Sequence, residues 1–136
     1  MAKIYFYDCT ENETSFFKEQ IRGHECVYYE GAIEASPVCG DADIISVFVS
    51  SQVTRNIIEK MPKLKLITCR SAGYNNIDLA AAYERNIQIA TTPLYGEHTV
   101  AEYTFSLLLS LTRKLPITIQ TTKEHTPIDS RKIRGK

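Results

Sequence analysis

Two short stretches carry the residue types that could hold a small ligand. Arg70-Ser71-Ala72-Gly73-Tyr74-Asn75-Asn76-Ile77-Asp78 follows Lys65 to Cys69, an apolar-rich run suited to a buried parallel strand. Tyr95-Gly96-Glu97-His98-Thr99-Val100-Ala101-Glu102 follows a second strand-like run. After the first strand the chain breaks into small residues, and Gly73 is expected to take a positive φ that brings main-chain N–H groups close to a ligand. A carboxylate suits such a turn, because charge-assisted bonds from N–H donors to an anion are strong. Asp78 is placed to cap the Ala-rich helix Leu79 to Arg85, anchoring the loop at its far end. The same pattern fits a plain strand-to-helix connection, a common use of a short Gly-containing loop, and the residues alone leave both readings open.

The elements that must position this loop alternate between strand and helix. Lys3 to Tyr7 reads as a first strand, and Thr10-Glu11-Asn12-Glu13 has capping-box spacing, opening a helix through about Arg22. Cys26 to Tyr29 reads as a second strand and Ile44 to Val49 as a third, with a weakly patterned stretch from Glu30 to Ala42 between them. A helix from about Thr54 to Met61, the strand Leu64 to Cys69, the helix after Asp78 and the strand Ile87 to Ala90 follow. This rhythm predicts a doubly wound parallel α/β sheet of flavodoxin-like type, covered by helices on both faces. Ligands in such folds gather beyond the carboxyl ends of the strands, where Phe48, Val49 and Ser50 could floor a pocket or simply pack.

Thr99-Val100-Ala101-Glu102 repeats the capping-box spacing and predicts a long C-terminal helix to about Leu115, ended by Pro116. Val100, Thr104, Leu107, Leu108 and Leu111 cover one side of it, Phe105 and Leu109 widen the arc, and Glu102, Ser106, Ser110 and Arg113 leave only a polar strip. Such a helix calls for burial on more than one side. Its length and its polar strip exclude a membrane span. From Ile117 to Lys136 the chain is polar and aperiodic, and a mobile linker is expected.

Composition adds exclusions. Sixteen basic and sixteen acidic residues give a net charge of +0, so no strong field draws the chain to nucleic acid or to an anionic membrane. At 136 residues a single core is expected. Cys9, Cys26, Cys39 and Cys69 form no C-x-x-C pair and no metal-ligand spacing with the histidines, and no signal peptide precedes Lys3, which points to free thiols in a cytoplasmic protein. Cys69, at the end of an apolar strand, reads as a packing residue.

The segment "LKLITCRSAGYNNIDLAAAYERNIQIATTPLYGEHTVAEYTFSLLLSLTRKL", within Lys63 to Pro116, resembles the D-isomer-specific 2-hydroxyacid dehydrogenases, NAD-dependent enzymes that include D-lactate and D-glycerate dehydrogenases. The loop after the strand, the Asn-Ile-Asp helix start, the Pro-x-Tyr turn and the Thr-Val-Ala-Glu helix start occur in that family's order. The resemblance implies a substrate domain that is split, its first part preceding and a shorter part following an inserted dinucleotide-binding domain. On that pattern residues 1–98 are the N-terminal part of the substrate domain, 99–116 an interdomain helix and 117–136 a linker.

The resemblance also implies roles. Main-chain N–H groups of Ser71, Ala72 and Gly73 would hold the carboxylate of a 2-oxo acid, Tyr95 would line the substrate pocket, and Thr99 and Val100 would face the nicotinamide of NAD. The implied partner is a small 2-oxo or 2-hydroxy acid, and the wide apolar arc of the helix Thr99 to Leu115 separately points to a second copy of the chain. Reduction of a ketone needs a proton donor, which in the family is a His paired with a Glu far downstream. His98, His24 and His125 are not expected to fill that role, Glu97 and Glu102 lack acid-base partners, and Arg70 is expected to fix the loop or contact the domain surface. No G-x-G-x-x-G occurs in the sequence, and the expected catalytic Arg, Glu and His are not matched, so an N-terminal fragment without hydride-transfer machinery is expected. The alternative is a non-catalytic binding or regulatory module on the same fold.

Overall fold

A computed structural model describes residues 1–127 and residue 131. The element order is β1 (Lys3–Phe6), α1 (Glu11–Gln20), β2 (Glu25–Tyr28), a 3₁₀ turn (Ile33–Ala35), β3 (Ile44–Val47), α2 (Arg55–Glu59), β4 (Leu66–Cys69), α3 (Leu79–Glu84), β5 (Gln88–Ala90), α4 (Glu97–Thr112) and α5 (Leu115–Lys123). All four strand pairings are parallel and the sheet order is β2-β1-β3-β4-β5. That order is the flavodoxin-like one, as the sequence predicts. The chain divides into two compact units, Met1–Leu94 and Tyr95–Lys136.

Within the first unit the strand alternation sorts two cores. Tyr5, Tyr7, Ile45, Val47, Ile67 and Cys69 pack with Ile57 and Ile58 of α2 and Ala81 and Ala82 of α3. The opposite face carries a smaller cluster of Ile4, Phe6 and Cys9, with Phe17 and Ile21 of α1 and its end packed against it. Phe6 stacks between Phe17 and Tyr28 at centroid distances of 4.8 and 4.9 Å. Both faces are covered, as the sequence predicts, though unequally. Beside α1 an open groove of about 510 Å³ runs over Ile44, Leu66, Thr68 and Ala90.

Local rules fix several ends. Thr10 and Glu13 form the reciprocal capping box, with Thr10 N–H donating to Glu13 Oε2 at 2.8 Å and Glu13 N–H to Thr10 Oγ1 at 3.3 Å. Asp78 caps α3, its carboxylate accepting from Ala81 N–H at 2.9 Å.

The second unit departs from its expected form. α4 starts at Glu97 with Gly96 as its cap, so Thr99 lies inside the helix and its capping box does not form. Glu97 instead places a negative charge in the first turn, where the helix dipole favours it. Pro116 does not terminate a helix. The turn comes earlier, at Lys114 with φ 53°, and Pro116 sits in the first turn of α5, where its missing N–H leaves no bond unmade. The stretch expected to be an aperiodic linker is thus helical through Lys123. Ile133 to Lys136 lie outside the described residues.

Candidate functional site

The loop after β4 is folded back by its own polar atoms. Ser71 is buried, and its hydroxyl donates to the Gly73 carbonyl at 2.7 Å, while the Cys69 thiol lies 3.1 Å from Ser71 Oγ and 3.4 Å from the same carbonyl. The Ser71 carbonyl accepts from Thr92 N–H at 3.1 Å. All peptide bonds of the described residues are trans, so each N–H points away from the carbonyl of the preceding residue. With the Ser71 and Gly73 carbonyls engaged inward, the N–H groups of Ala72 and Tyr74 face outward. Ala72, Gly73 and Tyr74 are exposed, and their N–H groups have no hydrogen-bond partner among the described residues. A row of free main-chain donors on a constrained turn can take an anion.

The turn achieves this without the backbone conformation expected of it. Gly73 does not have a positive φ; among the described glycines only Gly23 does, at 78°. A Cβ added at Gly73 would meet nothing within 4 Å. The donors are arranged by the Ser71 and Thr92 bonds, and glycine there leaves space above the turn instead of relieving strain.

Arg70 and Asp8 build the floor beside it. The strand order reverses between β1 and β3, the point at which doubly wound folds bind ligands. Asp8 follows β1 with φ 54°, a left-handed conformation that Asp tolerates, and its carboxylate accepts from Phe48 N–H at 3.1 Å, Ser50 Oγ at 2.8 Å and Ser51 Oγ at 2.6 Å. Ser51 Oγ accepts in turn from Ile33 N–H at 2.9 Å. The Arg70 guanidinium donates to the carbonyls of Tyr7 and Asp8 at 2.9 and 2.8 Å and to Ser46 Oγ at 3.1 Å. It lies 6.0 and 5.9 Å from the ring centroids of Phe17 and Phe48. The Arg70 guanidinium is therefore committed to β3 and to the residues that follow β1, with no hydrogen bond to the Ser71–Gly73 turn. Its Nε lies 3.5 Å from Glu13 Oε1. Burial pushes the Glu13 carboxyl up, but the Thr10 bonds and Arg70 outweigh it and hold the group below the ordinary range.

Asn76 joins the two loops. Its Nδ2 donates to the carbonyls of Phe48 at 3.0 Å and Ser51 at 2.7 Å, and its own carbonyl accepts from Val53 N–H at 2.8 Å. Neither Asp8 nor Asn76 stands out locally in the sequence. The rule that ligands gather at the strand-order reversal would have found Asp8, one residue beyond the Tyr7 end of the predicted strand.

The first unit thus brings together Ser71, Ala72 and Gly73 with Phe48, Val49 and Ser50, the last three exposed. Tyr95, Thr99 and Val100 are exposed and belong to the second unit, Thr99 and Val100 in the first turns of α4. His24 accepts from Ala2 N–H at 3.2 Å, beside the amino ends of the strands, and His98 and His125 lie in the second unit. Among the described residues of the first unit, the turn presents free main-chain donors, with no histidine placed beside them. Among the described residues no cluster of His, Cys, Asp and Glu could hold a metal ion, and no helix is long and apolar enough to cross a membrane.

Residues 4–126 match the catalytic domain of the D-isomer specific 2-hydroxyacid dehydrogenases. A 2-hydroxyacid dehydrogenase homolog of Zymomonas mobilis is 30% identical over 128 residues, which are 91% of this chain and 37% of that protein. One of Schizosaccharomyces pombe is 38% identical over 116 residues, 84% of this chain and 34% of that protein. The D-lactate dehydrogenase of Aquifex aeolicus, solved with NAD and lactic acid, superposes with a TM-score of 0.91 at 28% identity over 98% of this chain and 40% of that one. The chain spans 34–40% of the length of these relatives. With the parallel sheet, its strand order and the turn after β4 in place, the chain belongs to the D-isomer-specific 2-hydroxyacid dehydrogenase family, which it matches over the catalytic domain.

Proposed function

We propose that this chain supplies the carboxylate-binding part of an NAD-dependent oxidoreductase that interconverts a 2-oxo acid and a D-2-hydroxy acid. The observation that carries the reading is the row of unpartnered N–H groups on the Ala72–Tyr74 turn, held by the Ser71 hydroxyl and by Thr92. The Aquifex relative's complex with NAD and lactic acid supports the substrate class and the cofactor. On this reading the turn anchors the acid's carboxylate, Tyr95 closes the substrate side, and Thr99 and Val100 face the nicotinamide. Residues 1–98 belong to the substrate domain, 99–116 form an interdomain helix and 117–136 lead towards a dinucleotide-binding domain. The hydride and the proton for the substrate oxygen come from groups outside this sequence. The protein works in the cytoplasm as a homo-oligomer.

The test is an amide-resolved NMR titration of the chain with sodium pyruvate, using sodium chloride as the control. The expected result is saturable shifts at Ala72, Gly73 and Tyr74 that chloride does not reproduce. Shifts no larger there than in β2 would overturn the reading.

A further inference from the structure

The loops at the carboxyl edge of the sheet meet at one peptide segment. Phe48 has its N–H held by the Asp8 carboxylate at 3.1 Å and its carbonyl held by Asn76 Nδ2 at 3.0 Å. Asp8 lies in the connection from β1 and Asn76 in the connection from β4, so the segment after β3 is gripped from both neighbours. The grip continues at Ser51, whose hydroxyl donates to Asp8 and whose carbonyl accepts from Asn76. The bridge between Val53 and Ile77 extends the same seam. Asn76 is two residues from Tyr74, at the end of the turn that carries the free N–H groups.

We infer that Asp8 and Asn76 are positioning residues, which lock the Phe48–Ser51 segment and the Ser71–Tyr74 turn into one unit through the main chain of Phe48. The inference relies on the proposed function only for the identity of the ligand. Its physical basis is that a turn presents donors to an anion usefully only when held before the ligand arrives. Ser71 and Thr92 hold the near end of this turn. At the far end, Asn76 spends both side-chain N–H bonds on the neighbouring loop. Asp8 makes no hydrogen bond to the turn, and it acts by fixing the peptide against which Asn76 pulls.

Two variants separate this role from local packing. Asn76→Asp keeps the shape but removes the donor, placing an acceptor against two carbonyls. Asp8→Asn keeps the shape but removes the charge, at a site that makes no hydrogen bond to the turn. Amide NMR without ligand is the first readout. Both variants should broaden or shift the resonances of Ala72 to Tyr74 as well as Phe48 to Ser51, while Leu66 to Cys69 stay sharp. Effects of Asp8→Asn confined to Phe48–Ser51 would overturn the inference, and that variant alone decides it if Asn76→Asp fails to fold. Pyruvate titration is the second readout: each variant should weaken the dissociation constant by about tenfold, the scale of one lost net hydrogen bond. A wild-type chain that ignores pyruvate, with Asp8→Asn still loosening the turn, would remove the carboxylate reading and leave the coupling intact. Wild-type pyruvate affinity in a well-folded Asp8→Asn chain would overturn the positioning role.

Discussion

The hydroxyl of Ser71 donates to the carbonyl of Gly73 at 2.7 Å, one of the bonds that fold the loop after β4 with its free N–H groups outward. Removing it by Ser71→Ala should cost about 1 kcal/mol in urea unfolding, the net worth of one hydrogen bond, and should weaken the pyruvate response of Tyr74. An unchanged midpoint and an unchanged titration would mean that the Cys69 and Thr92 bonds hold the turn without it.

Gly73 should tolerate substitution as far as folding is concerned. An added Cβ meets no atom within 4 Å and the backbone is outside the left-handed region, so Gly73→Ala is expected to leave thermal stability unchanged or slightly raised. Gly73→Val adds branched carbons beside the row of donors and should reduce pyruvate binding while the fold persists. A valine variant that binds pyruvate normally would place the carboxylate elsewhere.

Acid should destabilise the first unit within a defined window. The Asp41 carboxyl is held below its ordinary range by the Lys3 ammonium and the Tyr5 hydroxyl, Asp43 by Lys3 N–H and Lys65, and Glu84 by Arg55. A carboxylate whose folded pKa is depressed contributes stability above its unfolded value, near 4, and that contribution drains away as pH falls through the folded value. Melting temperature should be flat from about pH 7 to 5 and fall below about pH 4. Asp43→Asn should flatten that fall. At the other extreme, burial pushes the Tyr28 phenol up to about 12, a contribution intact below pH 10 and lost as pH rises towards that value. A midpoint that already drops between pH 7 and 5 would contradict this account.

The 136-residue chain should not turn over substrate by itself, because its sequence contains no Gly-rich dinucleotide fingerprint. Calorimetric titration with NADH and a pyruvate reduction assay check this. Micromolar affinity or turnover above a buffer control would refute it.

The chain should also self-associate through α4. No residue of this helix is buried, and Phe105, Leu109 and Leu111 are 64%, 57% and 72% exposed. Each large apolar side chain left in water forfeits roughly 1.5–3 kcal/mol relative to burial. Light scattering should report a dimer or larger species, and Phe105→Glu with Leu109→Glu should shift it towards monomer. A clean monomer at high concentration would count against the helix as an interface.

What the sequence made legible was local. Thr10 with Glu13, and Asp78 with Ala81, lie three positions apart and fold as their spacing predicts. The strands after them were readable because buried parallel strands are short apolar runs. Gly73 misled because glycine permits a positive φ without requiring it. Pro116 misled because the same residue that stops a helix also starts one, and only the left-handed Lys114 distinguishes the cases. The Phe48 grip was out of reach: its donors and acceptors are 40 and 28 positions apart, joined only once the sheet has formed.

The strand order also sets how the protein can be made. β1 is translated first and ends inside the sheet, with β2 on one flank and β3 on the other, after which β4 adds to β3 and β5 to β4. No strand has to be inserted between two that are already paired. The sheet can therefore grow outwards in the order in which the ribosome delivers it, with no completed pairing undone. The cost is a moving open edge: once Ile44–Val47 has emerged and paired with β1, its other side stays unpaired until Leu66–Cys69 emerges. The interval between the two emergences thus sets how long that strand is open to pairing with another nascent chain.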